Sequence, residues 1–382
     1  MTGKLGLGKD KLSPNLRSLD ALRGILAVYV LFGHCRWLLW AGNSVWNQQD
    51  RPWWSDIIAI GSAGLRYGHE AVMVFFVLSG FFIHLRVSDR LAKRENIQFN
   101  FIQFLQRRCY RLIPPYILAL ILTVSLDLVG RFYYPTLYSG LTGDPLLDDN
   151  FVRKEFSLVS VIPALLMLPS SLGKDFGTNG PLWSLAYEVI YYLLYPLWVR
   201  LRRVGVFPAY LAGILLAIIS SFFIEWNFLR QVLIHYPIWL SGAAMAEILT
   251  KMRLPKWSLF INIFFMVIAF TILQLQIPIF LLICSYTILG CSIFLIAASI
   301  PQRAIYHKCH KFCESLGKES YTIYICHFPI VSLISAWSIE VLGTRPVHGW
   351  LAVGGAVLTL SISHICFCLC ERHFLSTRLS LK

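Results

Sequence analysis

Residues 17–34 read RSLDALRGILAVYVLFGH. The stretch opens an apolar segment that runs to about Trp40, yet it carries Asp20, Arg23 and His34 inside a sequence apolar enough for a membrane. At about 100° per residue, a helix brings Arg23 and His34 within roughly 20° of each other, because eleven residues make almost three turns. Asp20, Gly24, Ala27 and Leu31 fall on the same side, so one face is polar or small and the others are apolar. Ionisable groups at membrane depth are costly and normally point into a protein interior or a water-filled cavity. Two readings follow: a structural Asp20–Arg23 pair at a helix entry with His34 satisfied in a core, or a functional site. Three such groups on one face favour the site.

The rest of the chain sets that helix in a bilayer. Of 382 residues, 57% are hydrophobic and 14% charged, and the mean hydropathy is +0.62. A soluble fold of this size cannot bury so much apolar surface, whereas a membrane bundle can. Ten apolar segments are long enough to span, at about 19–40, 70–86, 113–131, 181–199, 205–224, 231–249, 257–275, 278–299, 320–341 and 350–370. No internal repeat or linker divides the chain, which predicts an all-α integral-membrane bundle of about ten helices over residues 1–382 as a single domain. A polar stretch precedes the first apolar run and no small-residue cleavage site follows it, so a cleavable signal is not expected.

Net charge of +14 would ordinarily point to nucleic acid. Here the basic residues sit in short segments between apolar runs, which points to membrane topology instead. With the N-terminal tail (1–18) in the cytosol, 24 of the 34 Lys and Arg residues fall on the inner side, so both termini are expected to be cytoplasmic. The outer segment from about 132 to 180 carries Asp144, Asp148, Asp149, Glu155 and Asp175, and is long enough for a lid or an acceptor-binding surface. Ten cysteines give no disulfide framework. His307, Cys309, His310 and Cys313 look superficially like ligands, but no second pair stands at zinc-finger spacing, so no metal is expected.

Depth follows from this topology. His34 lies about 22 Å above the start of the first span, in the outer third of a roughly 30 Å core. The fourth span enters from outside with Asn179-Gly180-Pro181, a cap followed by a first-turn proline, and brings Glu188 about 10 Å inward to the depth of His34. A histidine and a carboxylate at one level make a general base with its orienting partner; the plain structural alternative for Glu188 is a bond to Trp183 or Tyr192. Glu70, beside His69 at the outer end of the second span, is another partner for His34 or simply faces water. Ser79 and Gly80, in FFVLSGFFI, read as a helix-packing point rather than a nucleophile, since no G-x-S-x-G context surrounds the serine. His327, with Tyr321 and Tyr324 in SYTIYICHFPI, reads first as a buried hydrogen-bonded histidine. Arg107, Arg108 and Arg111 precede Pro114-Pro115 at the inner end of the third span. They serve either as positive-inside anchors or as a clamp for an anionic cytosolic ligand. The rise from Arg23 to His34, about 16 Å, compares with the reach of a pantetheine arm from the phosphates of coenzyme A to its thioester.

These pieces together resemble the membrane-bound acyltransferase-3 family, whose members O-acylate surface polysaccharides, lipopolysaccharide, Nod factors and related glycans. The matching residues are Leu19-Asp20-Ala21-Leu22-Arg23-Gly24 with His34 (Arg-x10-His) and FFVLSGFFI at 75–83. Arg108-x-x-Arg111 with Leu112-Ile113-Pro114, Leu182-Trp183-Ser184-Leu185 with Glu188, and SYTIYICHFP at 320–329 continue the match in family order. The resemblance implies an acyl-CoA-dependent O-acyltransferase, most simply an O-acetyltransferase, in a bacterial cytoplasmic (inner) membrane. It passes roles in activity and acyl-CoA use to Arg23, His34, Arg108 and Arg111. Many members carry an acidic residue just before the FF pair, where this chain has Met73; Glu70, one turn outward on the same face, is its stand-in. Many members also append an extracytoplasmic esterase-like domain, and a stand-alone transferase is expected here. The expected partners are acyl-CoA, membrane lipids and a glycan or lipid-linked glycan acceptor such as lipopolysaccharide O-antigen, with no nucleic acid. His34 then serves as base toward a sugar hydroxyl, or the acyl group is carried covalently on His34 or a nearby tyrosine. The alternatives are a transporter or channel for an acyl carrier or small anion, and a family member acting on a small molecule.

Overall fold

The computed structural model describes residues 16–42, 57, 60–93, 99–152, 156–251, 255, 257–300 and 307–376, the last from 312 onward with side chains. Among the described residues there is helix and loop but no strand. Ten long helices form where apolar runs predict them: α1 (Leu16–Leu39), α2 (Gly68–Ala92), α3 (Phe101–Tyr133), α7 (Trp183–Leu201), α8 (Val206–Phe223), α9 (Asn227–Lys251), α10 (Ser258–Ile272), α11 (Ile279–Ser299), α12 (His307–Leu342) and α13 (Trp350–Cys366). Eight are long and apolar enough to cross a membrane. The other two are α10, with 15 residues, and α7, whose four tyrosines, two tryptophans and Pro196 lower its hydropathy. His307, Cys309 and His310, which look like ligands in sequence, lie outside the described side chains.

Side-chain placement reports the solvent. On α8 the small residues Ala209, Gly213, Ala217 and Ser220 are buried, while Phe207, Leu211, Leu215 and Ile219 are exposed. Both sets repeat at nearly four residues, so the helix packs through its small face and turns its large aliphatic and aromatic face outward. Water would reject that arrangement; hydrocarbon accepts it.

The chain packs as two compact units, each built from separated segments. The first comprises residues 1–25, 69–100 and 190–318. Its central helix is α9, which packs on α8 and α11, while α10 packs on α11. Gly80 of α2 and Gly242 of α9 let two backbones touch: a Cβ at Gly80 would stand 2.0 Å from the Trp239 carbonyl oxygen, and one at Gly242 1.9 Å from that of Val77. Trp239 Nε1 donates to Ser79 Oγ at 3.2 Å beside this crossing. Gly24 on α1 and Gly317 on α12 make a second close crossing, where a Cβ at Gly317 would meet the Asp20 carbonyl at 2.0 Å.

The second unit comprises residues 26–68, 101–189 and 319–382. The outer segment after α3 is not an open loop. It folds into α4 (Pro135–Tyr138), α5 (Pro145–Phe151) and α6 (Leu158–Leu165). Leu137, Tyr138, Leu147 and Phe151 from the first two are buried in one core with Leu31, Leu38, Phe328, Val331 and Ala356. The basic cluster expected before the third span lies within helix as well, because α3 starts at Phe101 and runs through Pro114 and Pro115.

Replacing Gly242 by Val should destabilise the first unit by about 1–3 kcal/mol, the cost of forcing volume into a packed crossing. Gly354→Ala, where a Cβ meets nothing within 4 Å, should not. Thermal unfolding of the two variants in detergent reads the difference.

Candidate active site

α12 carries the site, and its local sequence explains why. Pro329 has no N–H, so the carbonyl four residues earlier, Ile325, loses its helical partner. In a bilayer such a group must find another donor, and it finds Asn179 Nδ2 at 2.9 Å. The same amide nitrogen lies 3.0 Å from Thr123 Oγ1 on α3, so one buried side chain ties α3, α12 and the entry to α7. Asn179 therefore does not cap α7 through its side chain as its position before Pro181 predicts; the entry forms a 3₁₀ turn, Gly180–Leu182. Beside it, Thr178 donates to the fully buried Asp127 carboxylate from its amide at 2.7 Å and from its hydroxyl at 2.6 Å. Gly177, at φ +53°, turns the chain tightly past that carboxylate.

Two residues beyond Ile325 stands His327, fully buried. Its Nδ1 lies 2.7 Å from the Tyr324 carbonyl and 3.1 Å from that of Ile323. Carbonyls only accept, so the proton of the neutral ring sits on Nδ1 and Nε2 is an acceptor. That Nε2 lies 2.9 Å from His34 Nδ1. His34 Nδ1 must then be the donor, which leaves His34 Nε2 with its lone pair. Among the described residues no other group hydrogen-bonds to His34. Its ring is held edge-on to Phe328, with centroids 4.9 Å apart at 87°, and it keeps partial exposure.

The expected carboxylate partner is thus replaced by an imidazole. Glu188 does not bond to His34, because the ring nitrogen that would have met a carboxylate is already engaged by His327. Glu188 lies one turn past Ser184 on α7, partly exposed; Ser184 Oγ is 2.8 Å from the Tyr324 hydroxyl, which also donates to the Pro181 carbonyl at 3.0 Å. Glu70, partly exposed, belongs to the first unit, as do Asp20, Ser79 and the buried Tyr192. Arg23 is in that unit too, its guanidinium 5.8 Å from the centre of the Phe82 ring.

The end of α1 is also anchored. Arg345 donates to the Trp37 carbonyl at 2.8 Å and pairs with Asp144, the N-cap of α5, while Ser335 Oγ donates to the Leu38 carbonyl at 2.8 Å. A cation on the last carbonyls of a helix satisfies both their hydrogen bonding and the helix dipole. His34 lies one turn inside this fixed end.

At the other end of α3, Arg108 stands 5.5 Å from the centre of the Phe104 ring. One turn on, Arg111 Nε is buried with no acceptor among the described residues. Buried guanidinium donors normally have one.

Residues 16–366 match the family model for the Acyl_transf_3 acyltransferase domain. The chain belongs to that family. It is 30% identical over 132 residues to the peptidoglycan O-acetyltransferase OatA of Listeria monocytogenes serovar 1/2a, covering 34% of this chain and 19% of that protein. It is 29% identical over 136 residues to the acyltransferase MdmB of Streptomyces mycarofaciens, covering 36% of this chain and 30% of the relative. An uncharacterized protein of Haemophilus influenzae shares 29% identity over 188 residues, 46% of this chain and 70% of its own length. The match therefore spans well under half of the two acyltransferases. No solved structure matches.

Asp127 and Thr178 escape a motif-based reading, and Asn179 is read only as a cap, although Asp127 interrupts an apolar run and Pro329 announces a freed carbonyl. Asp127→Ala strands both Thr178 donors and should cost about 2–4 kcal/mol in chemical unfolding; the exposed Asp149→Ala should leave stability unchanged.

Proposed function

We propose that the chain moves an acyl group, in the simplest case acetyl, from cytosolic acyl-CoA to a hydroxyl of an extracytoplasmic cell-surface glycan such as lipopolysaccharide O-antigen, in a bacterial inner membrane. The observation that carries this reading is the imidazole pair. Two backbone carbonyls fix the proton of His327, His327 fixes the proton of His34, and the outcome is an unprotonated nitrogen on a partly exposed ring. His34 Nε2 is then the base: it takes the proton of the acceptor hydroxyl as the oxygen attacks the thioester carbonyl. His327 fixes the tautomer and orientation of His34 and accepts from its Nδ1–H as positive charge develops on that ring, the part a carboxylate plays in a serine–histidine–acid triad.

The donor's phosphates would meet Arg108 and Arg111. The buried Nε of Arg111, without a partner among the described residues, supports an anionic ligand there, and guanidinium forks suit phosphate oxygens. The similarity to a peptidoglycan O-acetyltransferase supports a glycan as acceptor, and the similarity to an acyltransferase of another genus supports the acyl-transfer chemistry itself.

His34→Ala should abolish acetylation of the surface glycan in cells that still insert the protein, read by mass spectrometry of the polysaccharide. His327→Ala should lower the rate about 10²- to 10⁴-fold, as loss of the group that orients a catalytic histidine does. Acetylation at the wild-type level in His34→Ala would overturn the reading. Arg111→Ala should weaken acyl-CoA binding to the detergent-solubilised protein by about tenfold, as loss of one charge-assisted hydrogen bond of about 1.4 kcal/mol predicts, in an equilibrium binding measurement.

A further inference from the structure

The far end of α13 carries a second imidazole relay that takes no part in the reaction above. After Cys366 the sequence FCLCE leaves the α-helical register and runs as a π turn, Phe367–Glu371, before α14 (Arg372–Ser376). Such single π turns recur at functional sites, because the extra residue re-aims side chains along the helix. Here the turn sets Cys368 Sγ 3.6 Å from His364 Nε2. His364 Nδ1 in turn lies 2.9 Å from Glu319 Oε2 on α12. A carboxylate accepts, so Nδ1 holds the imidazole proton and Nε2 faces the thiol as acceptor. Nucleophile, base and orienting acid stand in line.

The arrangement is braced from one helix. Glu319 on α12 holds His364, and Thr322, one turn on, donates its amide to the fully buried Glu371 of the π turn at 3.2 Å, with its hydroxyl on the same oxygen. The relay also lies at the surface. The His364 side chain is 59% exposed and Cys368 partly so. Ile365 and Leu369 beside them are 56% and 70% exposed. By the distribution of Lys and Arg, this end of α13 is the cytosolic one. An electrophile that reaches the thiol here brings an apolar chain to lie on Ile365 and Leu369 and a reactive carbonyl at the interface. A long-chain acyl thioester has that form.

We propose that Cys368 is a nucleophilic cysteine that becomes S-acylated by a long-chain acyl thioester. His364 Nε2 takes the thiol proton, and the thiolate sulfur attacks the thioester carbonyl carbon. A new carbon–sulfur bond forms while the bond to the donor sulfur breaks. The proton then passes from His364 to the departing thiolate, which leaves as a free thiol, and His364 returns to its neutral form. Nothing is oxidised or reduced. The product lays a fatty chain along the lipid-facing side of α13. None of this depends on His34 or on the glycan reading.

The test uses the full chain in lipid nanodiscs with alkyne-tagged palmitoyl-CoA, followed by click labelling, hydroxylamine treatment and peptide mapping. Wild-type protein should gain a hydroxylamine-labile label on Cys368 that is lost in Cys368→Ala and kept in Cys370→Ala and His34→Ala. His364→Ala should slow labelling about a hundredfold, and Glu319→Gln less. An equal rate with acetyl-CoA would overturn the long-chain assignment. Labelling that persists in Cys368→Ala, or proceeds at the wild-type rate in His364→Ala, would overturn the site. Should His364→Ala fail to fold, His364→Gln decides: labelling of Cys368 slowed in that variant supports the pair, and labelling at the wild-type rate overturns it. Cys368→Ala should retain glycan acetylation, so failure here and failure of the acyl-transfer reading give different results.

Discussion

A polar group inside a bilayer has no water to fall back on, and the second unit is built around that constraint. Its decisive instance is the pair of carbonyls at Ile323 and Tyr324, which hold His327 Nδ1 and so dictate where every proton beyond it must be. The consequence runs outward in one direction only. His327 Nε2 can only accept, His34 Nδ1 can only donate, and the remaining nitrogen of His34 is a base before any substrate arrives. A carboxylate in place of His327 would orient the ring equally well, but it would bring a full negative charge into hydrocarbon. A neutral imidazole held by backbone carbonyls achieves the same orientation without that desolvation cost.

α12 is the spine that makes this possible, because it offers one or a few polar bonds to each neighbour in turn. Glu319 and Thr322 engage α13 and its π turn, Tyr321 donates to the Leu112 carbonyl on α3 at 3.1 Å, and Tyr324 reaches the start of α7. The Ile325 carbonyl receives Asn179, His327 meets α1, and Ser335 closes on the last turn of α1. Aliphatic contact between membrane helices fixes position only loosely, since lipid competes on equal terms. One or a few hydrogen bonds per neighbour supply register. The proline at 329 belongs to the same scheme, for it releases the acceptor through which Asn179 binds both α12 and α3.

The sequence is legible wherever composition and period carry the information. The ten helices fall at the apolar runs, and Arg23 and His34 stand out because charges in such runs are few, whereas Arg108 and Arg111 lie before their run and are singled out only by the family resemblance. Ser79-Gly80 can be read as a packing point because small residues recur there. What is not legible is pairing. His34 and His327 are 293 residues apart, and no spacing rule relates α1 to α12; depth alone made Glu188 the natural partner. Asp127 is just as conspicuous as His34 in an apolar run, yet its partner Thr178 lies in a loop whose course no periodicity sets. The outer segment was legible as long but not as folded, because α4 and α5 have only four and seven residues and are held by burial of Leu137, Tyr138, Leu147 and Phe151 rather than by helix propensity.

The two imidazole relays of the second unit differ in a way that follows from their surroundings. His34 is oriented by a neutral ring at a level where charge is costly. His364 is oriented by a carboxylate at a helix end, with most of its own side chain exposed, where a charged partner is tolerated. A relay that ends on a lone pair suits an external hydroxyl, which brings its own nucleophilic oxygen and needs only a base. A relay that ends on a sulfur supplies the nucleophile itself and can hold what it receives. In the two proposed reactions the same side-chain type serves as a base in one place and activates a covalent acceptor in the other, and the choice is made by which atom lies beyond Nε2.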